Sequence, residues 1–385
     1  MSDQDDPLQL LAAICAIDSR TTAGAAGTTR VGELLAAPLR DLDFAVEFSE
    51  AAPEEQPRGR HLKAVRNPAA ARRLILVGHT DTVLSPREAP FRRDDGAGRV
   101  YGSGVCDMKG GCVVLVAAVR EALAKYPAVR ELGLTVLLNC AEEFSGPSFP
   151  RLLQTAAPGA AACLCFEPAS PGPDGQYRVA VGRKGVMRCR LTCHGRSAHA
   201  GNDHDRGVNA IRELARKIER IEALTDYSRE LTANVGCIRG GHVPNQVADE
   251  AAADIDLRSF TPEGLAALLA AMRDICAEST VRSAADGVAT RLELQEQLAY
   301  PPWPRGAAGD ELAGRFARLA GARGIQVGAT VRGGGSDASH LAVLMPALDG
   351  LGLPGGGMHT PDEWADIGIM PAWIGAAAEL ISDLA

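Results

Sequence analysis

"LTVLLNCAEEFSG", residues 134–146, runs apolar for most of its length and then ends on two adjacent carboxylates, Glu142 and Glu143. The apolar part reads as a buried strand, and neighbouring side chains of an extended chain point to opposite faces. Two glutamates in a row therefore cannot do one job unless the backbone turns there: either one is surface, or the two have different tasks. Similar stretches flank it. "RRLILVGH" (72–79) is a buried strand that breaks at Gly78, and "AACLCFE" (161–167) is a short one ending in a carboxylate. With a helix predicted over about 110–125, strands alternate with helices from 70 to 167, which predicts an α/β domain with a largely parallel sheet and flanking helices.

The pattern changes after residue 178. "YRVAVGRKGVMRCRLTCHG" reads as a hairpin turning near Gly182 to Gly185. It is followed by a helix at 207–224, strands at about 231–238 and 246–258, and a helix opening at "TPEG", with Thr261 as N-cap and Pro262 at N1. From about 290 the first style returns, with a helix at 309–322, the glycine-rich loops "RGGGSDASH" and "LPGGGMHTPDEW", and a last helix at 370–384. The expected organisation is a catalytic domain in two parts, 1–178 and 290–385, interrupted by an inserted α+β domain at 179–289.

Composition narrows the function. Of 385 residues 46% are hydrophobic and 23% charged, ordinary globular usage, and the formal net charge of −8 argues against nucleic acid or an anionic membrane as a general partner. The start, "MSDQDDPLQLLAAICAIDS", lacks the basic lead and apolar core of a secretory signal, and no apolar run is long enough for a membrane span. The ten cysteines show no zinc-knuckle or redox spacing. They read as reduced, small apolar side chains, and the expected location is the cytoplasm.

Taken singly, the polar residues at the strand ends have ordinary explanations: His79-x-Asp81 recurs by chance, Asp107 could cap a helix, and Glu142, Glu143 and Glu167 could be solvated loop charges. Together they are harder to dismiss, because open α/β sheets bind ligands at the carboxyl ends of their strands. His79, Asp107, Glu143, Glu167 and His359 would bring five nitrogen and oxygen donors and no sulfur to one crevice. That set suits zinc, with cobalt or manganese able to substitute, and two ions sharing one carboxylate would use all five.

The chain here resembles the di-zinc aminoacylase and carboxypeptidase family, which includes acetylornithine deacetylases, succinyl-diaminopimelate desuccinylases and glutamate carboxypeptidases, and is most similar to the bacterial glutamate carboxypeptidase branch. The matching stretches are "GHTDTV", "GSGVCDMKGG", "CAEEFSG", "FEPA", "GRSAHAG", "GVNAI", "DIDLRSF", "GGGSDAS" and "GLGLPGGGMHTPDEW", in the family's order from about residue 70 onward. The resemblance implies that Asp107 bridges two zinc ions, with His79 and Glu167 on one and Glu143 and His359 on the other. It implies that Glu142 is the general base and that Asp81 supports His79. It further implies a homodimer through the inserted domain, in which His199 reaches the partner's active site as an oxyanion donor, alongside Asn245. Arg258 would bind a substrate carboxylate, helped by backbone N–H groups near Gly334, Gly335 and Ser336. His61, His194, His204, His242 and His340 read as surface or structural residues, and Arg178 stands outside the expected site.

The expected activity is hydrolysis of an amide beside a free carboxylate, releasing a C-terminal amino acid such as glutamate. N-acyl-amino-acid deacylation and dipeptide cleavage use the same constellation. Two other classes remain: a serine hydrolase built on Ser336 in "GGSDA", which lacks the last glycine of a nucleophile elbow, and a non-catalytic binding protein.

Overall fold

The structure is a computed structural model that describes residues 6–20, 22–52 and 59–385. It divides into two compact units, one of residues 1–182, 305–332 and 336–385, the other of 183–304 and 333–335. No helix among the described residues is long and apolar enough to cross a membrane.

The first unit is built on a six-stranded sheet in the order Ala45–Glu50, Arg60–Arg66, Gly133–Asn139, Arg73–His79, Ala160–Cys165, Ala347–Leu348. The first two strands are antiparallel to their neighbours and the other four run parallel. Register decides what this sheet can hold. His79 lies opposite Asn139, and Val77 opposite Cys165, so the three central strands end almost level. The residues that follow them, Thr80 to Asp81, Ala141 to Glu143 and Glu167, share one crevice outside the sheet. Helix Lys109–Lys125 is apolar around most of its circumference, with Gly111, Cys112, Val114, Leu115 and Ala118 all buried, so it is an interior helix rather than an amphipathic surface one. It holds Asp107 over the crevice from its amino-terminal side.

The second unit is a four-stranded antiparallel sheet, ordered Thr232–Gly240, Glu250–Ser259, Gly185–His194, Arg291–Tyr300, with helices Ala210–Glu222 and Pro262–Ala277 packed on one face. Cys189, Leu191 and Cys193 point into that core while Arg188 and Arg190 face out, the alternation of a one-sided sheet. Thr261 caps the second helix by accepting the Gly264 N–H at 3.1 Å, with Pro262 in the first turn.

Two sequence expectations need correction. The hairpin at 177–194 does not form: Tyr177–Arg183 pairs within the first unit, between Val327–Arg332 and Ser170–Pro171, whereas Gly185–His194 enters the second sheet. The burial explains it, since Val179, Ala180, Val181, Gly182 and Arg183 are buried in succession and suit a strand covered on both faces, unlike the alternating strand that follows. The second unit also extends past the expected boundary at 289, because Arg291–Tyr300 is the fourth strand of its sheet.

A buried ion pair fastens that late strand. Glu213 and Lys217, both fully buried, lie 3.3 Å apart on one helix. Glu213 accepts the N–H groups of Thr280 (2.8 Å) and Val281 (2.7 Å) and the Thr290 hydroxyl (2.9 Å), anchoring the loop that leads into Arg291–Tyr300. Removing one partner leaves the other charge buried and unpaired. Glu213→Ala should therefore lower the unfolding free energy by about 3–5 kcal/mol, read from the urea midpoint at unchanged slope.

Candidate metal centre

His79 closes its strand with the ring turned toward the crevice. Its Nε2 lies 3.1 Å from Asp107 Oδ1 and 3.6 Å from Glu167 Oε1. On the other side, His359 Nε2 lies 3.3 Å from Asp107 Oδ2 and 3.4 Å from Glu143 Oε2. Asp107 thus offers one oxygen to each of two three-donor groups, His79–Asp107–Glu167 and Asp107–Glu143–His359.

These groups fit divalent ions on two independent observations. A tetrahedral zinc with bonds of about 2.0–2.1 Å holds its donors about 3.3 Å apart, and the measured separations run from 3.1 to 3.6 Å. Glu143 Oε1 is buried and has no hydrogen-bond partner among the described residues, a costly state for a carboxylate oxygen unless a cation faces it. The donor set, imidazole and carboxylate without thiolate, is that of zinc, cobalt or manganese.

Asp81 anchors the backbone of the paired glutamates. Its Oδ1 accepts the Glu142 N–H at 3.1 Å and its Oδ2 the Glu143 N–H at 3.0 Å. The chain then folds back, with Ser145 N–H donating to Glu142 O (2.7 Å) and Gly146 N–H to Ala141 O (3.3 Å), Ser145 being left-handed at φ 56°. Strand alternation ends at this turn, so the two side chains are free to take different tasks. Asp81 Oδ1 also lies 3.3 Å from His79 Nδ1, and the Asp81 carbonyl 3.1 Å from it, which places the ring proton on Nδ1 and leaves the Nε2 lone pair for a metal. His359 sits at φ 63°, a left-handed conformation uncommon for a residue with a Cβ and found where function demands it.

Protons stand in where cations would bind. Burial works against a charged His79, but the Asp107 and Asp81 carboxylates outweigh it and hold the imidazole well above its ordinary range. Hydrogen bonds to Asp107 and Glu143 raise His359 to about 10. Burial, with the Asp107 charge behind it, pushes Glu143 up to about 8 and Glu167 well above the carboxylate range. Burial would raise Asp107 too, but the two imidazoles more than offset it and keep it low. An ion takes only the deprotonated donors, so loading at neutral pH must expel protons. Zinc affinity should accordingly rise from about pH 6 to about pH 9, and calorimetry in buffers of differing ionisation enthalpy should show net proton release.

Residues outside the expected site support it. Asn139 donates from Nδ2 to Asp337 Oδ2 (2.9 Å) and accepts the Ala141 N–H at Oδ1 (2.9 Å), bracing the start of the glutamate turn. Glu363 accepts backbone N–H groups of the Asp107 turn. Both Asp337 and Glu363 lie inside stretches already distinctive in the sequence, but no spacing rule marks a carboxylate that serves backbone amides.

The remaining expectations fare differently. Ser336 is fully buried; its hydroxyl accepts the Ala338 N–H at 3.2 Å and lies 3.8 Å from Cys165 Sγ, and no histidine among the described residues bonds it, which removes the serine-hydrolase reading. The loop glycines face arginines with their carbonyls: Gly333 O accepts from Arg258 Nη1 (2.9 Å), and Gly334 O (3.4 Å) and Gly335 O (3.1 Å) from Arg183 Nη1. A Cβ at Gly335 would come within 2.2 Å of Tyr300, so glycine is required there for packing. Arg258 is gripped by Asp256 through Nε (2.6 Å) and Nη2 (3.1 Å), which uses three of its five donors with the Gly333 bond included. His199 is exposed, and its Nδ1 accepts the N–H groups of Gly201 and Asn202, each at 3.1 Å, so its proton sits on Nε2. The Asn245 carbonyl accepts the Ala200 N–H at 3.0 Å, tying it to the same loop. His61 is buried against Phe149 and bonds Ser148 Oγ at 2.6 Å, a structural role, and Arg178 pairs with Asp174.

The model of Peptidase family M20/M25/M40 matches residues 75–383. Carboxypeptidase G2 of Pseudomonas sp. (strain RS-16) is 29% identical over 370 residues, covering 94% of this chain and 86% of that protein. A succinyl-diaminopimelate desuccinylase of Methylocella silvestris is 29% identical over 378 residues, covering 91% and 92%. Among solved structures, a tripeptidase from Staphylococcus aureus superposes with a TM-score of 0.76 at 22% identity over 99% of this chain and 98% of that one, a likeness of fold.

Proposed function

The chain belongs to Peptidase family M20/M25/M40 and is a metal-dependent hydrolase, and from that premise we propose that it cleaves an amide bond beside a free carboxylate, releasing a C-terminal amino acid such as glutamate from an N-acyl or peptidyl substrate, with two zinc ions per chain. The observation that carries this reading is the division of Asp107 between two donor groups. Zinc, when bound, polarises a carbonyl and makes a water acidic.

The chain's own residues do the rest. Glu142 belongs to neither donor group, and after burial and Asp107 its charge adds to what raises the carboxyls of Glu143 and Glu167. It takes the proton of the attacking water and returns it to the leaving amine. Asp81 holds Glu142 and His79 in place. His199, with its proton on Nε2, donates to the developing oxyanion, with Asn245 from the neighbouring segment as a second donor. Arg258 keeps two N–H donors for the substrate carboxylate. We assign His199 to the partner's site in a homodimer formed through the second unit, and the ten free cysteines fit a reducing, cytoplasmic compartment.

Deacylation of an N-succinyl amino acid is the second reading, favoured by the desuccinylase relative. A ninhydrin-type screen of the zinc-loaded protein against N-acyl glutamates, N-succinyl amino acids and dipeptides separates them by which amine appears. Release from none of them sinks the amide-hydrolase assignment. For the dimer, mixing inactive His199→Ala with inactive Glu142→Ala subunits should restore part of the activity, because one mixed site keeps both groups. Subunit exchange without recovery rules out action in trans.

A further inference from the structure

Glu363 lies four residues past His359, is 3% exposed, and turns its carboxylate into the backbone of the Asp107 turn. Its Oε1 accepts the N–H groups of Cys106 and Asp107, each at 2.9 Å, and its Oε2 that of Gly104 at 3.0 Å. The Gly102 N–H donates to the Glu363 carbonyl at 3.1 Å, and the next residues, Trp364–Asp366, pair antiparallel with Arg99–Tyr101, the strand that leads into the same turn. Three buried donors converge here on a side chain that must accept with both oxygens. Glutamine would turn N–H toward one of them, and a shorter acceptor would not span the set. An anion so near Asp107 costs repulsion, and what it secures is three charge-assisted bonds to one turn.

The same segment carries His359, whose Nε2 meets Asp107 Oδ2 at 3.3 Å. One stretch of chain therefore supplies a donor to one ion position and grips the backbone of the donor shared by both. We propose that Glu363 is a positioning residue of the metal centre: it aims the two oxygens of Asp107 and locks that turn to the His359 loop, so that the ion-binding geometry exists before an ion arrives. This rests on reading Asp107 as the shared ligand. Removing such an outer partner of a ligand typically costs about 10–100-fold in metal affinity or activity.

The test titrates zinc into apoprotein against a chromophoric chelator for wild type, Glu363→Gln and Glu363→Ala, with thermal unfolding of the apo and loaded forms and kcat and KM at saturating zinc. The expected result is a weaker second ion by about 10–100-fold in Glu363→Gln and more in Glu363→Ala, with kcat reduced and KM near wild type. A glutamate that serves folding alone would lower the unfolding temperature and leave zinc affinity at the wild-type value, and that result overturns the proposal. Glu363→Gln, which keeps one acceptor oxygen, carries the test should Glu363→Ala not fold. Asp107→Asn run alongside separates the two levels. Loss of both ions there, with wild-type affinity in Glu363→Gln, removes the role of Glu363 alone; retention of both ions there removes the metal centre itself.

Discussion

Glu142→Gln should lose at least ~10²- to 10⁴-fold in kcat, the range of a general base, while both zinc ions stay bound. The substitution keeps the size of the side chain and its hydrogen bonding and removes only its basicity. Asp81 grips position 142 through the backbone N–H, so the turn survives the change. The loss should exceed the lower bound because the same group returns the proton to the amine. Glu143→Gln should behave otherwise. Its Oε2 lies 3.4 Å from His359 Nε2 and its Oε1 is buried with no hydrogen-bond partner among the described residues, the geometry of a ligand, and a neutral amide binds zinc poorly. That variant should lose one ion, with activity partly restored by excess zinc. Bound zinc and kcat measured on both variants decide the matter, and a Glu142→Gln protein lacking metal beside a fully active Glu143→Gln protein would reverse the roles.

The five residues that the fold brings together were legible in the sequence because each stands where a strand or a glycine-rich loop leaves the core. His79, Glu143 and Glu167 follow three apolar runs, and a parallel sheet brings such ends together whatever its fine register. Asp107 and His359 were legible only in company, since either alone passes for a cap or a loop residue. What stayed hidden acts through backbone amides or long-range pairing. Glu363, Asn139 and Asp337 brace turns from up to 259 positions away, and such contacts leave no periodicity to read. The partner of Tyr177–Arg183 was hidden for a different reason: chain proximity to Gly185–His194 suggested a hairpin, although its unbroken burial, against the alternation of its neighbour, separates the two strands.

Asp107→Ala should lose both ions together, whereas His359→Ala should lose one. The difference follows from how the oxygens are shared. Oδ1 lies 3.1 Å from the His79 ring and Oδ2 3.3 Å from the His359 ring, so one carboxylate completes both donor groups. Without it each position keeps only two protein ligands, an imidazole and a carboxylate, fewer than the three that hold catalytic zinc in proteins. The carboxyls that remain, Glu143 and Glu167, are the two raised by burial, so the carboxylate removed is the one the site holds low and charged. The pocket then has neither the geometry nor the charge for a divalent ion. His359 is half exposed and serves one position, so its removal leaves His79, Asp107 and Glu167 intact as a three-donor group. Elemental analysis of dialysed protein should therefore read about two, one and zero zinc ions per chain for wild type, His359→Ala and Asp107→Ala, the three-ligand minimum being the deciding quantity. Equal loss in the two variants would mean that the positions empty cooperatively, and full retention in Asp107→Ala would place the ions elsewhere.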